Sequence, residues 1–261
     1  MVAGEDRARL LARARELLAR AERGEVTYTP FLDPAEQHFL SLELAYARER
    51  WVLDGGYAAA ERRRMLFLPD YVAEAGELRE ELLAPAREEC LLALTVRGSG
   101  YRALTHRDFL GAVLHLGIAR DAIGDLLVPD PYTCILFCDR TMLTFLCGEL
   151  CRVASDAVTA KPLTLPPDFD GGRKFERLAD TVPSPRADAV VAALCRLSRE
   201  RAQALFRAGA VEVDFEPAEK PDLKVGEGTV LVVRGYGKFR ICSLSDLTKK
   251  GRYRLLAERY L

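Results

Sequence analysis

Residues 186–215 read R-A-D-A-V-V-A-A-L-C-R-L-S-R-E-R-A-Q-A-L-F-R-A-G-A-V-E-V-D-F, and residues 230–240 read V-L-V-V-R-G-Y-G-K-F-R. Apolar side chains recur at helical spacing over residues 187–194, which predicts a first short helix. Ser198 stands where an N-cap would open a second helix, and Gly209 stands where a C′ residue would end it. The stretch therefore predicts two consecutive amphipathic helices with strands after them.

The residues after the second helix carry the pattern of a β-sheet. Val211 and Val213 alternate with acidic side chains, and the β-branched run 230–233 predicts a more buried strand. Residues 235–237, Gly-Tyr-Gly, suit a hairpin turn because glycine adopts positive φ at little cost. Residues 238–242 are then predicted to return as the partner strand.

Basic residues are concentrated in this C-terminal part of the chain. Residues 186–261 hold 15 Lys and Arg against 10 Asp and Glu, a net charge of +5, whereas residues 1–185 hold 23 against 29, a net charge of −6. A basic cluster on a compact unit is typical of nucleic-acid binding, and a merely solvated charged face is the alternative. Because the preceding part is acidic overall, we expect residues 186–261 alone to retain most of any RNA affinity.

The same stretch resembles a known family, the αL RNA-binding motif named after a small-subunit ribosomal protein. The matching residues are Arg186-x-Asp188, Ser198-Arg199, Ala202, Leu205, Gly209-x-Val211-x-Val213, Lys220-Pro221 and Gly228. Asp214 and Thr229 depart from the motif, both at predicted turns. The extensions Arg234-Gly235-x-Gly237-Lys238-Phe239 and Thr248-Lys249-Lys250-Gly251-Arg252 resemble the YlmH branch of that family.

The resemblance implies an RNA surface on the two helices and the adjoining turns. Its candidate RNA-binding residues are Arg186, Ser198, Arg199, Lys220, Arg234, Tyr236, Lys238, Lys249, Lys250 and Arg252. Because a surface arginine contributes little to stability, Arg199→Glu is expected to weaken RNA binding without unfolding the domain. Binding is expected to rest on phosphate contacts and RNA shape.

The N-terminal part is predicted to be helical. Leucine and alanine recur at helical spacing from residue 10, and Asp33-Pro34 is typical of a capped helix start. Residues 58–64 are predicted to form a third, shorter helix. Its last three residues, Arg62 to Arg64, form a basic cluster. The sequence is compatible with an RNA contact by this cluster and with a structural role at a helix end. Phe31-Leu32-x-Pro34, Gly55-Gly56-Tyr57, Glu61-Arg62 and Pro69-Asp70-Tyr71 again resemble YlmH-like proteins.

The middle of the chain predicts a compact unit with the order β-α-β-β-α. Residues 90–96 and 134–138 are strand-like, and Thr105 with Asp108 is typical of a capping box at a helix start. Residues 105–111, 116–118 and 123–125 resemble the corresponding part of YlmH-like proteins, which implies an RNA-recognition-motif-like (RRM-like) fold. The predicted architecture is α+β, with a helical domain (1–75), an RRM-like α+β domain (76–160), a linker or paired extended segment (161–185) and an αL RNA-binding domain (186–261).

Two further patterns suggest chemistry without supporting it. Residues 96–100 form a partial dinucleotide loop that lacks its third glycine and the acidic strand end. The spacing of Cys134, Cys138, Cys147 and Cys151 places them on a predicted strand and a predicted helix, which favours core packing over a zinc site.

The sequence and the resemblance together lead to a hypothesis about function. We expect a non-enzymatic, monomeric RNA-binding protein of the cytoplasm, without cofactor, metal or membrane contact. Its partners would be ribosomal RNA or tRNA and the large ribosomal subunit, and the resemblance implies a role in translation or ribosome-associated quality control. The alternative is an RNA-modifying enzyme, of the pseudouridine synthase or methyltransferase type, with an accessory αL motif.

Overall fold

The computed structural model of the chain describes residues 4–166, 168–172, 175–248 and 251–260. The chain divides into two compact units, residues 1–172 and 173–261. Every strand pair among the described residues is antiparallel and helices pack on the sheets, so the protein is α+β, as the sequence predicts. Within the described residues no helix has the length and apolar character that a membrane crossing needs.

The first unit contains six helices and eight strands among its described residues. They are α1 (Gly4–Ala21), β1 (Thr27–Tyr28), α2 (Pro34–Glu43), β2 (Trp51–Asp54), β3 (Arg64–Phe67), α3 (Asp70–Ala73), α4 (Arg79–Cys90), β4 (Leu92–Gly98), α5 (His106–His115), β5 (Ile123–Asp130), β6 (Thr133–Cys138), α6 (Leu143–Glu149), β7 (Arg152–Val153) and β8 (Asp156–Leu163). Four short 3-10 helices lie between them, at Ala45–Arg50, Gly76–Leu78, Arg120–Ala122 and Arg140–Met142.

The N-terminal segment is not purely helical, which corrects the sequence prediction. It contains a three-stranded sheet of order β1-β3-β2, and the predicted helix 58–64 is absent because turns lead there into β3. All four residues of β3 are buried, and its Met65 and Phe67 pack against leucines of α1 and α2. Tertiary burial of a continuous apolar strand here outweighs the helical propensity of the preceding alanines and arginines.

The middle sheet and its helices follow the predicted order β-α-β-β-α from β4 to α6, and two strands that were not predicted, β7 and β8, complete the sheet. Its strands are arranged β5-β6-β4-β8-β7, and one face packs on α5 and α6 through a core that includes Leu94, Phe109 and Leu136. The capping box at α5 is present, since the Asp108 carboxylate accepts the N–H of Thr105 at 2.8 Å and the Thr105 hydroxyl accepts the N–H of Asp108 at 3.4 Å. Helix α6 ends at Glu149, so Cys151 lies beyond it and is exposed.

Over its described residues, the second unit consists of two helices on one six-stranded sheet. Its elements are β9 (Phe175–Val182), α7 (Ala187–Leu194), α8 (Arg199–Arg207), β10 (Val211–Val213), β11 (Glu216–Pro217), β12 (Val230–Val233), β13 (Gly237–Leu247) and β14 (Tyr253–Tyr260), with sheet order β11-β10-β12-β13-β14-β9. Both predicted helices, the Ser198 cap and the 235–237 turn are confirmed. Alternate residues such as Leu231, Phe239 and Leu255 form the core under the helices.

The segment predicted as a linker or paired extended segment supplies an edge strand of this sheet. β9 pairs with β14 at eight positions, from Phe175 with Tyr260 to Val182 with Tyr253. The second alternative is therefore the observed one for residues 175–182. The proline- and glycine-rich residues before β9 could not indicate this pairing, because the partner strand lies more than 70 residues further along the chain.

Candidate nucleic-acid interface

A buried carboxylate joins the starts of the two C-terminal helices. Asp188 in α7 is 0% exposed and accepts four hydrogen bonds, two from Arg186 at 3.2 Å, one from Arg199 Nε at 3.1 Å and one from Gln203 Nε2 at 2.9 Å. Burial alone would raise the pKa of the Asp188 carboxyl, but donation from Arg186, Gln203 and Arg199 lowers that pKa to about 2. The motif residues Arg186 and Arg199 thus orient the helices as well as carrying charge.

The turn between α7 and α8 places an arginine in a conformation that glycine usually occupies. Arg196 follows the end of α7 with φ +54°, and the N–H of Leu197 donates to Ala192 O at 2.8 Å, which is the Schellman closure of a helix. A left-handed non-glycine residue costs about 1–2 kcal/mol. The Arg196 side chain is exposed and makes no hydrogen bond or ion pair within the described part of the chain.

A groove of about 420 Å³ runs between α7, this turn and the end of β9. Three arginines line it, Arg196, Arg199 and Arg252, against one carboxylate, Asp180. Arg252 is held in place because its guanidinium donates to Thr181 Oγ1 at 2.9 Å and to Thr181 O at 2.5 Å. We call this feature the arginine groove. Its charge and the absence of aromatic side chains among its described lining residues suit a phosphate backbone better than a base.

A smaller depression of about 230 Å³ adjoins the arginine groove. Arg196 lines both, and Arg259, Tyr236 and Glu176 line the smaller one. Tyr236 therefore lies next to the arginine groove. Arg234 and Lys220 are exposed, whereas Ser198 acts as the N-cap of α8 and accepts the N–H of Arg201 at 3.3 Å.

Lys238 lies on the other face of the sheet, which corrects the predicted surface. Its neighbour in β13, Phe239, is buried under the helices, so the alternation of a strand directs Lys238 away from them. The Lys238 ammonium lies 4.7 Å from the ring centroid of Tyr260 and 5.4 Å from that of Phe215. Two more predicted site residues, Lys249 and Lys250, fall outside the described residues.

The arginine groove also contains a residue that the sequence prediction missed. Arg196 is not among the residues that carry the resemblance to the αL motif. A single arginine between Cys195 and Leu197 also belongs to no helical or strand pattern in the sequence. A signal was available in the sequence. Ser198 is the N-cap of the second helix, and Arg196, two residues earlier, is at the C′ position of the first helix. Glycine is the usual residue at C′, so an arginine there is unusual.

The basic cluster Arg62 to Arg64 has a structural role. The Arg64 guanidinium is 2% exposed, donates to Asp139 Oδ2 at 2.6 Å and stacks over the rings of Tyr28 and Phe31 at 5.0 and 4.5 Å. Arg62 donates to the carbonyls of Ile123 and Phe31 at 3.1 and 2.8 Å. The hypothesis of an RNA contact is wrong for Arg64, which has no path to a phosphate.

The two other suggestive patterns are structural as well. Cys134 and Cys138 are buried, and burial raises the pKa of both thiols to about 12. Among the described residues no group of three or more His, Cys, Asp or Glu side chains could hold a metal ion. Residues 96–98 are the end of β4 in an antiparallel sheet, and Ser99 directly after this strand donates its backbone N–H and hydroxyl to Asp156. Residues 96–100 therefore lack the strand-to-helix crossover of a dinucleotide site.

Comparisons with known proteins place these features in context. Residues 92–165 match the family model described as "Putative RNA-binding domain in YlmH". The chain is 30% identical over 239 residues to "Ribosome-associated protein quality control protein P2" of Bacillus subtilis (strain 168), which covers 91% of this chain and 89% of the relative. It is also similar to the solved structure "Cell division protein ylmH from Streptococcus pneumoniae", with 18% identity, a TM-score of 0.49, and coverage of 65% of this chain and 98% of that one.

Proposed function

This chain belongs to the YlmH family, and from that premise we propose that it is a non-enzymatic RNA-binding protein that acts on the ribosome. In this proposal its arginine groove holds the phosphate backbone of ribosomal RNA or of tRNA on the large ribosomal subunit, in the cytoplasm, with the protein as a monomer. The similarity to the Bacillus subtilis ribosome-associated quality control protein supports ribosome association and a role in quality control. The matched RNA-binding family model supports RNA as the partner.

The observation that carries the proposal is Arg196. An arginine in a left-handed conformation costs stability, and such strained residues concentrate at functional sites. Its exposed guanidinium stands in the arginine groove with Arg199 and Arg252. Arginine presents a planar fork of donors that matches phosphate oxygens, which lysine or glycine cannot provide at this position.

The buried carboxylates support a non-enzymatic role. Asp125 accepts from the Tyr57 hydroxyl and from the backbone of residues 61 and 62, at 2.6–3.0 Å. Asp156 accepts the backbone N–H and the hydroxyl of Ser99, and Asp188 is bound by the four donors described above. Each of these carboxylates is held by structural donors, whereas a general acid or base must reach a substrate proton.

The test compares two full-length variants in co-sedimentation with purified ribosomal subunits. Arg196→Gly removes the cation and also relieves the left-handed strain, so the variant should be at least as stable as the wild type while binding is weakened. The control is Arg177→Ala, because Arg177 is 90% exposed and lies on the opposite face of the same sheet, beside Glu258 at 3.9 Å. It should bind like the wild type.

Equal co-sedimentation of the two variants would show that the arginine groove is not the RNA surface. The enzymatic alternative has a separate test, in which ribosomal RNA incubated with the protein is digested and its nucleosides are analysed by mass spectrometry. Modified nucleosides that disappear with a single carboxylate variant would refute a non-enzymatic role.

A further inference from the structure

The second face of the middle sheet is covered at one end, where Phe137 packs against Tyr57 and Phe169, and is polar at the other end. In β4, Leu94 and Val96 face the helices, so Thr95 and Arg97 face the other way. β4 lies between β6 and β8, and Arg97 is directly opposite Thr133 on one side and Thr159 on the other. Lys161 lies opposite Thr95 in the same way. Cross-strand neighbours on one face stand about 5 Å apart at Cβ, so these five side chains form one cluster.

This cluster lines a groove of about 450 Å³, which we call the threonine groove. Its lining residues are Thr95, Arg97, Gly98, Thr133, Thr159 and Lys161, so it contains two cations and three hydroxyls with no carboxylate. Within the described residues, none of these five side chains makes a hydrogen bond or ion pair. Arg97 and Lys161 are both exposed. These five polar side chains converge on one groove without bonding to the protein, so they do not stabilise the fold. Such an arrangement is typical of a ligand-binding site.

The nearest acidic groups lie at the end of the groove and are engaged elsewhere. Asp156 is buried at its rim, where a side chain at Gly98 would meet the Asp156 carboxylate, and it accepts the backbone N–H and hydroxyl of Ser99. Asp130 accepts the N–H of Tyr132 at 2.8 Å in the hairpin between β5 and β6. No carboxylate is therefore known to neutralise the positive charges of Arg97 and Lys161 among the described residues of the groove.

We propose that the threonine groove is a second RNA site, which binds the phosphodiester backbone independently of the arginine groove. This inference rests on the proposed RNA-binding function. The Arg97 guanidinium, flanked by two threonine hydroxyls, presents parallel donors to phosphate oxygens, and Lys161 supplies a second charge. None of the described residues that line the groove is aromatic, so they offer a base no surface on which to stack.

The position of β4 favours RNA over an acidic peptide. An extended peptide binds a sheet by adding to an unpaired edge, and both edges of β4 are already paired. A ligand on this face can therefore use only side-chain cations and hydroxyls, which match phosphate oxygens. All six lining residues fall within residues 92–165, the part that matches the RNA-binding family model.

The experiment measures RNA affinity of the full-length chain as a function of salt. The test variant is Arg97→Ala with Lys161→Ala, and the matched control is Arg9→Ala with Arg107→Ala. The control removes the same charge from exposed positions on helices of the same unit. The probes are a labelled single-stranded oligouridylate, a labelled RNA duplex and a labelled polyglutamate peptide. The test variant should bind RNA more weakly, and its plot of log K against log[salt] should be shallower by about 1.5, the contribution of two phosphates.

A second measurement locates the RNA directly. A photo-crosslinking amino acid at Thr133 should crosslink to the labelled RNA, whereas the same group at Leu114, which is exposed on α5, should not. If the wild type binds no RNA probe, the proposed function fails and this inference with it. A different result would refute the threonine groove alone. In that case the wild type binds RNA and Arg196→Gly weakens the binding, but the Arg97/Lys161 variant binds RNA like its control and the group at Thr133 gives no crosslink. Preference for polyglutamate would refute it as well.

Discussion

Arg199 donates its Nε to Oδ2 of Asp188 at 3.1 Å, and the Asp188 side chain is completely buried while that of Arg199 is 49% exposed. The same guanidinium thus compensates a buried charge and lines the arginine groove. The sequence-level expectation that Arg199→Glu leaves the fold intact is incompatible with this contact. A substitution here changes the helix pair and the RNA surface together.

Arg199→Glu should destabilise the second unit by about 3 kcal/mol, because it removes one donor from a buried carboxylate and places a second carboxylate beside it. Arg199→Ala should cost less, since Arg186 and Gln203 still donate to Asp188. Calorimetric melting of the full chain measures both. In the Asp188→Asn background the cost of Arg199→Ala should shrink, and an unchanged cost would show that the two residues are not coupled.

Acid should selectively weaken this helix pair. The pKa of Asp188 is about 2 in the folded protein and close to its ordinary value of about 3.9 in the unfolded chain, so the charged form favours folding. That contribution, about 2.5 kcal/mol, is fully present above pH 5 and is lost as the pH falls from about 4 towards 2. The stability difference between wild type and Asp188→Asn should therefore narrow over this interval. A constant difference would contradict the lowered pKa.

Arg64 should be essential for the first unit although it belongs to a basic cluster. Arg64→Ala leaves Asp139 without its buried partner and removes the contacts with Tyr28 and Phe31, so we expect a loss of about 3–5 kcal/mol. Arg63→Ala serves as the control, because Arg63 is only half-buried and donates to the carbonyls of Ala60 and Ala58. Thermal melting should separate the two variants, and similar melting temperatures would show that the Arg64–Asp139 pair contributes little.

The boundary of the RNA-binding fragment should decide whether it folds. A fragment of residues 186–261 lacks β9, which leaves the full length of β14 as an unpaired edge and removes Thr181, the partner of Arg252. A fragment of residues 173–261 retains both. We expect cooperative melting and RNA binding from the longer fragment, and aggregation or a non-cooperative melt from the shorter one. Circular dichroism with light scattering tests this, and two equally cooperative melts would contradict a structural role for β9.

The salt dependence of RNA binding should separate charge from structure in the C-terminal extension. Replacing Lys249, Lys250 and Arg252 together by Ala should weaken binding to all RNA sequences and flatten the plot of log K against log[salt] by about 2–3. Arg252→Ala alone should also lower the melting temperature, because Arg252 bridges to Thr181. An unchanged slope in the triple variant would place the phosphate contacts elsewhere.

Local patterns predicted those parts of the fold that depend on residues near in sequence. The helices α7 and α8, the Ser198 cap and the Thr105–Asp108 capping box all follow from interactions within four residues. The β3 strand was not predicted, and the pairing of residues 175–182 was only one of two alternatives. β3 pairs with β1, and β9 pairs with β14, across long stretches of chain, and the periodicity of a short segment does not indicate such a partner.

The sequence by itself determined the α+β class, the helix pair and the concentration of positive charge after residue 186, because composition and short-range periodicity are properties of the chain alone. Only the tertiary structure decided which of those charges share a surface. It buried Arg64, directed Lys238 to the far face of its sheet and brought Arg252 beside Arg196 through the pairing of β9 with β14. The direction of a side chain depends on which face of a strand is covered, and that is known only once the distant elements have packed.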